Sequence, residues 1–136
     1  MNTETSRILV VDDNVDIRDL IVHILTAHGF QVFQASNGQN ALEMLPSIRP
    51  HLVLLDVMMP GLSGYDVVEK IRSHEDSEIA ATLIVMITAK SQVADVELAM
   101  ASGASDYLIK PFRQSTLMEK VAFILKQQPN PLERSL

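Results

Sequence analysis

Three aspartates, a threonine and a lysine hold the chemistry this sequence can do. Asp12 and Asp13 follow the apolar run Arg7-Ile-Leu-Val-Val11, and Asp56 follows His51-Leu-Val-Leu-Leu55. Thr88 follows a run ending at Ile87, and Lys110 follows Asp106-Tyr-Leu-Ile109. If these runs are neighbouring strands, spaced about 4.8 Å apart, the acids at their ends share one pocket. Two carboxylate charges about 4 Å apart repel by roughly 4 kcal/mol at an effective dielectric near 20. Lys110 alone cannot neutralise three of them. A hard divalent cation meets the need, because Mg²⁺ (or Mn²⁺) takes a few carboxylates together with water and phosphate oxygens. Beside such a cation Asp56 stays ionised and can attack phosphorus, giving an aspartyl phosphate. A transferring phosphoryl group spreads its charge over its oxygens, and the cation, Lys110 and the Thr88 hydroxyl are partners for them.

Each residue alone has a plainer reading. Asp12 and Asp13 fit the cap of a following helix, Thr88 fits an ordinary β-branched strand position, and a lysine at a strand end is commonly solvated. Their shared edge is what separates them from those readings. Lys110 also precedes Pro111, where a cis peptide bond is open to the chain. His23, His28, His51 and His74 share no metal-ligand spacing, and the chemistry needs none of them. The methionines read as core filler, with Met58 and Met59 bordering the site. Glu75, Asp76 and Glu78 read as a solvated loop.

The elements that must position these groups alternate along the chain. Residues 7–11 form a strand, and Ile17, Leu20, Ile21, Ile24 and Leu25 then follow helical spacing up to Gly29. Phe30 to Ala35 precedes a helix near Gly38 to Pro46, and His51 to Leu55 precedes one near Gly64 to Arg72. Thr82 to Ile87 leads to Val93, Val96 and Met100, and Asp106 to Ile109 leads to Leu117, Val121, Ile124 and Leu125. Such alternation predicts a single doubly wound (βα)5 α/β domain with a parallel sheet and helices on both faces. The runs starting at Arg7, His51 and Thr82 are apolar throughout and belong in the middle, whereas the second and fifth have the polar character of edges. The flavodoxin-like order 2-1-3-4-5 satisfies this in a three-layer sandwich, and its switch point lies at the carboxyl ends of strands one and three.

The 136 residues allow about one domain, expected over 7–126, with a frayed start at 1–6 and a tail or severed linker at 127–136. Eleven basic against seventeen acidic residues give a net charge of -6, which disfavours nucleic acid as a partner of this segment. The absence of cysteine removes disulfides, thiolate metal sites and thiol nucleophiles. No apolar stretch approaches the ~20 residues of a membrane span, and a cytoplasmic protein is expected.

The segments Val11-Asp-Asp-Asn14, Leu55-Asp-Val-Met-Met-Pro-Gly-Leu-Ser-Gly64, Ile87-Thr-Ala89 and Tyr107-Leu-Ile-Lys-Pro-Phe112 together closely resemble the receiver domain of two-component response regulators. The resemblance implies that Asp56 is the phosphoacceptor for a histidine kinase or phosphotransfer protein. It implies that Asp12, Asp13, Asp56 and the backbone carbonyl of Met58 hold Mg²⁺. Lys110, through a cis bond to Pro111, would meet a phosphoryl oxygen, Thr88 would move to meet another, and Tyr107 would turn inward as the switch aromatic. Ala89 matches the small residue that leaves the site open, and Met58 and Lys90 occupy positions that modulate the access of water. The readout would be the face made by the helix of Val93 to Met100, the strand Asp106 to Ile109 and the last helix. That face would act on a downstream protein or effector domain, or form a phosphorylation-promoted dimer. Such a domain is not an enzyme toward a separate substrate, although it assists its own phosphorylation and dephosphorylation.

Two other classes use a similar fold. A flavin or nucleotide module wants a Gly-, Ser- or Thr-rich phosphate loop after strand one, where Asp12-Asp13 offers repulsion. A Mg²⁺-dependent phosphatase that forms an aspartyl phosphate usually places its nucleophile after strand one with a second acid two residues on, where Asn14 stands here.

Overall fold

The computed structural model describes residues 6–89 and 93–126; Lys90 and the expected tail at 127–136 lie outside them. Five parallel strands, β1 (Arg7–Val11), β2 (Gln31–Ala35), β3 (Leu52–Asp56), β4 (Leu83–Thr88) and β5 (Asp106–Ile109), stand in the order β2-β1-β3-β4-β5. This is the expected doubly wound arrangement. The pleat sends alternate residues to opposite faces. Leu9, Val11, Val53, Leu55, Ile84 and Met86 pack under α2 (Gly38–Ile48), α3 (Gly64–Arg72) and α5 (Val93–Ala101). Ile8, Val10, Leu52, Leu54, Val85 and Ile87 pack under α1 (Val15–Ala27) and α6 (Gln114–Leu125). Every residue of β3 is buried, whereas the edge strand β2 exposes Gln31 and Gln34. No helix among the described residues is long and apolar enough to cross a membrane.

One expectation fails. The acidic stretch Glu75, Asp76 and Glu78 is not a plain solvated loop: Glu75 is an exposed bend residue, but Asp76 caps and Glu78 lies in a one-turn helix, α4 (Ser77–Ala80). The Asp76 carboxylate accepts the N–H groups of Glu78 and Ile79 at 2.9 and 3.3 Å, which nucleates the turn, and Ile79 is buried in the core beneath. Arg49 then pairs with Asp76 at 3.0 Å and Glu78 at 2.6 Å. Arg49 itself holds a left-handed φ of 48° at the end of α2, a conformation that costs a side-chain-bearing residue roughly 1–2 kcal/mol. Its two acids, and the Arg7 guanidinium that donates to the carbonyls of Ile48 and Arg49, hold it there.

The same end of the molecule, opposite the carboxyl ends of the strands, is fastened by cations that bond to backbone. Arg72 donates to the carbonyls of Gly103, Ala80 and Thr82 at 2.7–2.8 Å, tying α3 to the starts of β4 and β5. Arg7 and His51 exchange bonds between β1 and the lead into β3: the Arg7 N–H donates to His51 Nδ1 at 2.9 Å, and the His51 N–H donates to the Arg7 carbonyl at 2.8 Å. Burial and then the Arg7 charge hold the His51 pKa below its ordinary value.

That depression fixes a sign. The unfolded chain takes up the proton first, so the His51 contribution is complete above about pH 6.5 and is lost as the pH falls through the lower folded value. Urea unfolding at a series of pH values is expected to show stability falling below about pH 6.5. His51→Asn, which keeps an acceptor near the Nδ1 position, is expected to flatten that part of the profile.

Candidate functional site

Register alone brings the expected residues to one edge. Val11 stands beside Leu55, Asp56 beside Ile87 and Thr88 beside Ile109, so the residues that close or follow β1, β3, β4 and β5 emerge side by side. Backbone bonds continue the pairing past the strands: the Val57 N–H donates to the Ile87 carbonyl at 3.0 Å and the Lys110 N–H to the Thr88 carbonyl at 2.7 Å. The Lys110–Pro111 peptide is cis.

Ligand oxygens of Asp12, Asp13 and Asp56 lie within 4.8 Å of one another. Asp12 and Asp56 are only 1% and 5% exposed, whereas Asp13 is exposed and forms the mouth. Lys110 Nζ reaches Asp56 Oδ1 at 3.2 Å and Asp12 Oδ2 at 3.5 Å. Burial first, and the Asp12 charge second, raise the Asp56 pKa above the ordinary carboxylate value, against the opposing pull of Lys110; Asp13 adds to the rise. The nest is therefore short of positive charge. Its donors are all oxygens and two of its three acids are buried, a set that could hold a hard cation.

The aspartates do not cap α1. Asn14 does, accepting the Ile17 N–H at 3.0 Å, while Asp12 Oδ1 accepts the Asn14 N–H at 2.9 Å. That bond leaves Asp12 Oδ2 turned to Lys110. Arg18, which the sequence did not single out, donates to the Asp12 carbonyl at 2.8 Å and to Gln34 at 3.0 Å, tying the end of β1 to α1 and β2. Its signal was spacing: residue 18 lies one turn beyond Asn14.

Thr88 is buried at the end of β4, and Ala89 beyond it is exposed. Met58 is exposed in the loop after Asp56, whereas Met59 is buried in the core. Tyr107, partly buried on β5, is not drawn into the acidic nest; the Lys120 ammonium lies over its ring at 5.4 Å. The histidines lie elsewhere in their bonding. His28 bonds the Ile24 carbonyl, His74 accepts the Asp76 N–H, His51 bonds Arg7, and His23 is exposed on α1.

Comparison with known proteins gives the family. The family described as the response regulator receiver domain matches residues 8–122. The chain belongs to that family. It is 40% identical over 134 residues to the DNA-binding response regulator MtrA of Mycolicibacterium smegmatis, a match covering 98% of this chain and 57% of that protein. It is 37% identical over 131 residues to the probable transcriptional regulator ycf27 of Cyanophora paradoxa, covering 96% and 53%. The receiver domain thus spans about half the length of these curated relatives. Among solved structures, the chemotaxis response regulator CheY4 of Vibrio cholerae superposes with a TM-score of 0.82 at 30% identity, covering 88% of this chain and 98% of that one.

The loop after β3 of this receiver domain is closed by local contacts. The Gly64 N–H donates to the Val57 carbonyl at 2.9 Å. Ser63 and Asp66 form a reciprocal capping box at 3.2 and 3.1 Å, a Ser-x-x-Asp pattern readable in the sequence but given no role there. A Cβ on Gly64 would stand 2.7 Å from the Asp56 carbonyl oxygen and 2.8 Å from Val57 Cα, both backbone atoms that cannot step aside. Gly64→Ala is expected to lower stability by about 1–3 kcal/mol through this overpacking, read as a shift in the urea midpoint. An unchanged midpoint would show that the loop yields.

Proposed function

We propose that this receiver domain is a phosphorylation-activated switch of a two-component system, with Asp56 as the phosphoacceptor. The observation that carries the reading is the acidic nest, in which three carboxylates lie within 4.8 Å and the Lys110 ammonium is 3.2 Å from Asp56. Asp12, Asp13, Asp56 and the Met58 carbonyl would hold Mg²⁺ (or Mn²⁺), whose charge would offset the acids and the oxygens of the incoming group.

An Asp56 oxygen attacks phosphorus of a phosphohistidine on a histidine kinase or phosphotransfer protein. The new O–P bond forms as the P–N bond breaks, and the imidazole keeps the bonding pair. Lys110 and the Thr88 hydroxyl bond the phosphoryl oxygens, so the chain's own contribution is positioning and charge neutralisation. Ala89 leaves the entrance open, and the Met58 side chain borders the path of water.

Phosphorylation puts about two negative charges where one carboxylate stood. Thr88 follows the new oxygens, Tyr107 turns inward, and the face of α5, β5 and α6 changes. That face acts on a downstream protein or an effector domain, as the names of the relatives suggest, or forms a phosphorylation-promoted dimer. DNA contact by this domain is opposed by its net charge of -6. The cytoplasm, where kinases of this class work, is the compartment the reading implies.

Incubation with Mg²⁺ and acetyl phosphate, followed by intact mass, is expected to show one added phosphoryl group. Asp56→Ala and chelation of the metal are each expected to abolish it. Sustained turnover of a phosphomonoester in the absence of labelling would favour the phosphatase reading instead.

A further inference from the structure

Tyr107 sits in a place its strand position does not account for. It stands opposite Met86 in the register of β4 and β5, so the pleat assigns its side chain to the face covered by α3 and α5. Among the described residues, neither apolar core includes it. Its ring centroid lies instead 5.4 Å from Nζ of Lys120, on α6, whose apolar residues pack against the other face. Both conditions hold only if the ring lies along the open edge of β5.

Lys120 is itself held. Asp106 Oδ2 takes its ammonium at 3.1 Å, and Asp106 Oδ1 accepts the Tyr107 N–H at 2.8 Å. The two side chains are only 27% and 19% exposed, so this pair is shielded more than an ordinary surface pair. One carboxylate thus fixes the backbone of Tyr107 with one oxygen and the cation above its ring with the other. A cation over a tyrosine face is attracted by the ring quadrupole, and only while the ring stays at the edge.

We infer that Lys120, anchored by Asp106, is a positioning residue that holds Tyr107 at the sheet edge and so sets the resting bias of the switch. This rests on the reading of Tyr107 as a residue that turns inward on phosphorylation. Removing the Lys120 charge releases the ring without touching the acidic nest. From the usual strength of such contacts, the inward fraction of the unphosphorylated protein rises about two- to fivefold.

The protein has two tyrosines and no tryptophan, so in a Tyr65→Phe background its fluorescence reports Tyr107 alone. Lifetime quenching by acrylamide is measured with and without Mg²⁺ and acetyl phosphate, and intact mass of the same samples reports labelling. In the unphosphorylated state Lys120→Met, which keeps the stem without the charge, is expected to shift quenching toward the phosphorylated value. Lys120→Arg is expected to leave it unchanged. Asp106→Asn, which keeps an acceptor for the Tyr107 N–H but loses the charge, is expected to shift it as Lys120→Met does. Quenching of Lys120→Met equal to that of the parent, or moved away from the phosphorylated value, overturns the inference. A parent that is labelled but shows no change in quenching overturns the switch reading of Tyr107, and the unphosphorylated comparison still decides whether Lys120 holds the ring.

Discussion

The constraint on which the rest of the molecule depends is the mutual repulsion of Asp12, Asp13 and Asp56. Two of these groups are buried and all three converge within 4.8 Å, opposed in the structure by the ammonium of Lys110. A pocket of this kind is costly for a fold to hold, since desolvation and like charge act together on Asp56. The cost is also what makes it responsive. Anything that changes the local charge, a cation or a phosphoryl group, meets a field that is already unbalanced.

Holding the acids together falls to the parallel sheet. Strands running the same way bring their carboxyl ends to one edge, and the register of β1, β3, β4 and β5 leaves no freedom in which residues emerge together. Close contacts then fix the loops: Gly64 against the backbone of residues 56 and 57, and Arg18 against the Asp12 carbonyl. The opposite end is tied by Arg7, Arg49 and Arg72, largely through carbonyl oxygens, so rigidity at one pole supports crowding at the other.

What could be read from the sequence follows the strength of each physical signal. The buried strands were legible because β1, β3 and β4 are continuously apolar, and the nest because an acid ending such a run has no structural excuse. The strand order followed from which runs could tolerate an edge. Several short polar features were not legible. Helix α4 is four residues long and depends on Asp76, Ile79 and an arginine 27 residues earlier, so no periodicity marks it. Asn14 displaced the aspartates as the cap of α1 because Asp12 bonds the Asn14 N–H, a choice that only backbone geometry decides. Lys120 and Asp106 are 14 residues apart on different elements, and nothing in either segment announces the pair.

Under the proposed reading of Tyr107 as the switch aromatic, its place at the sheet edge is a physical requirement. Close-packed interiors resist graded movement, because displacing a buried side chain opens a void on one side and a clash on the other. A residue inside either core of this domain would therefore transmit little until the core itself rearranged. Among the described residues Tyr107 belongs to neither core, and it stands on the last strand, where a ring can move from one set of partners to another without emptying a packed site. Thr88 ends the adjacent strand, and its carbonyl accepts the N–H of Lys110, so β4 and the residue that follows the edge strand carrying Tyr107 are joined by backbone. A movable aromatic needs a defined resting place, or its two positions would be populated without regard to the nest. In the proposed reading Lys120 and Asp106 supply that place through polar contacts, which can be exchanged at the surface where core packing cannot.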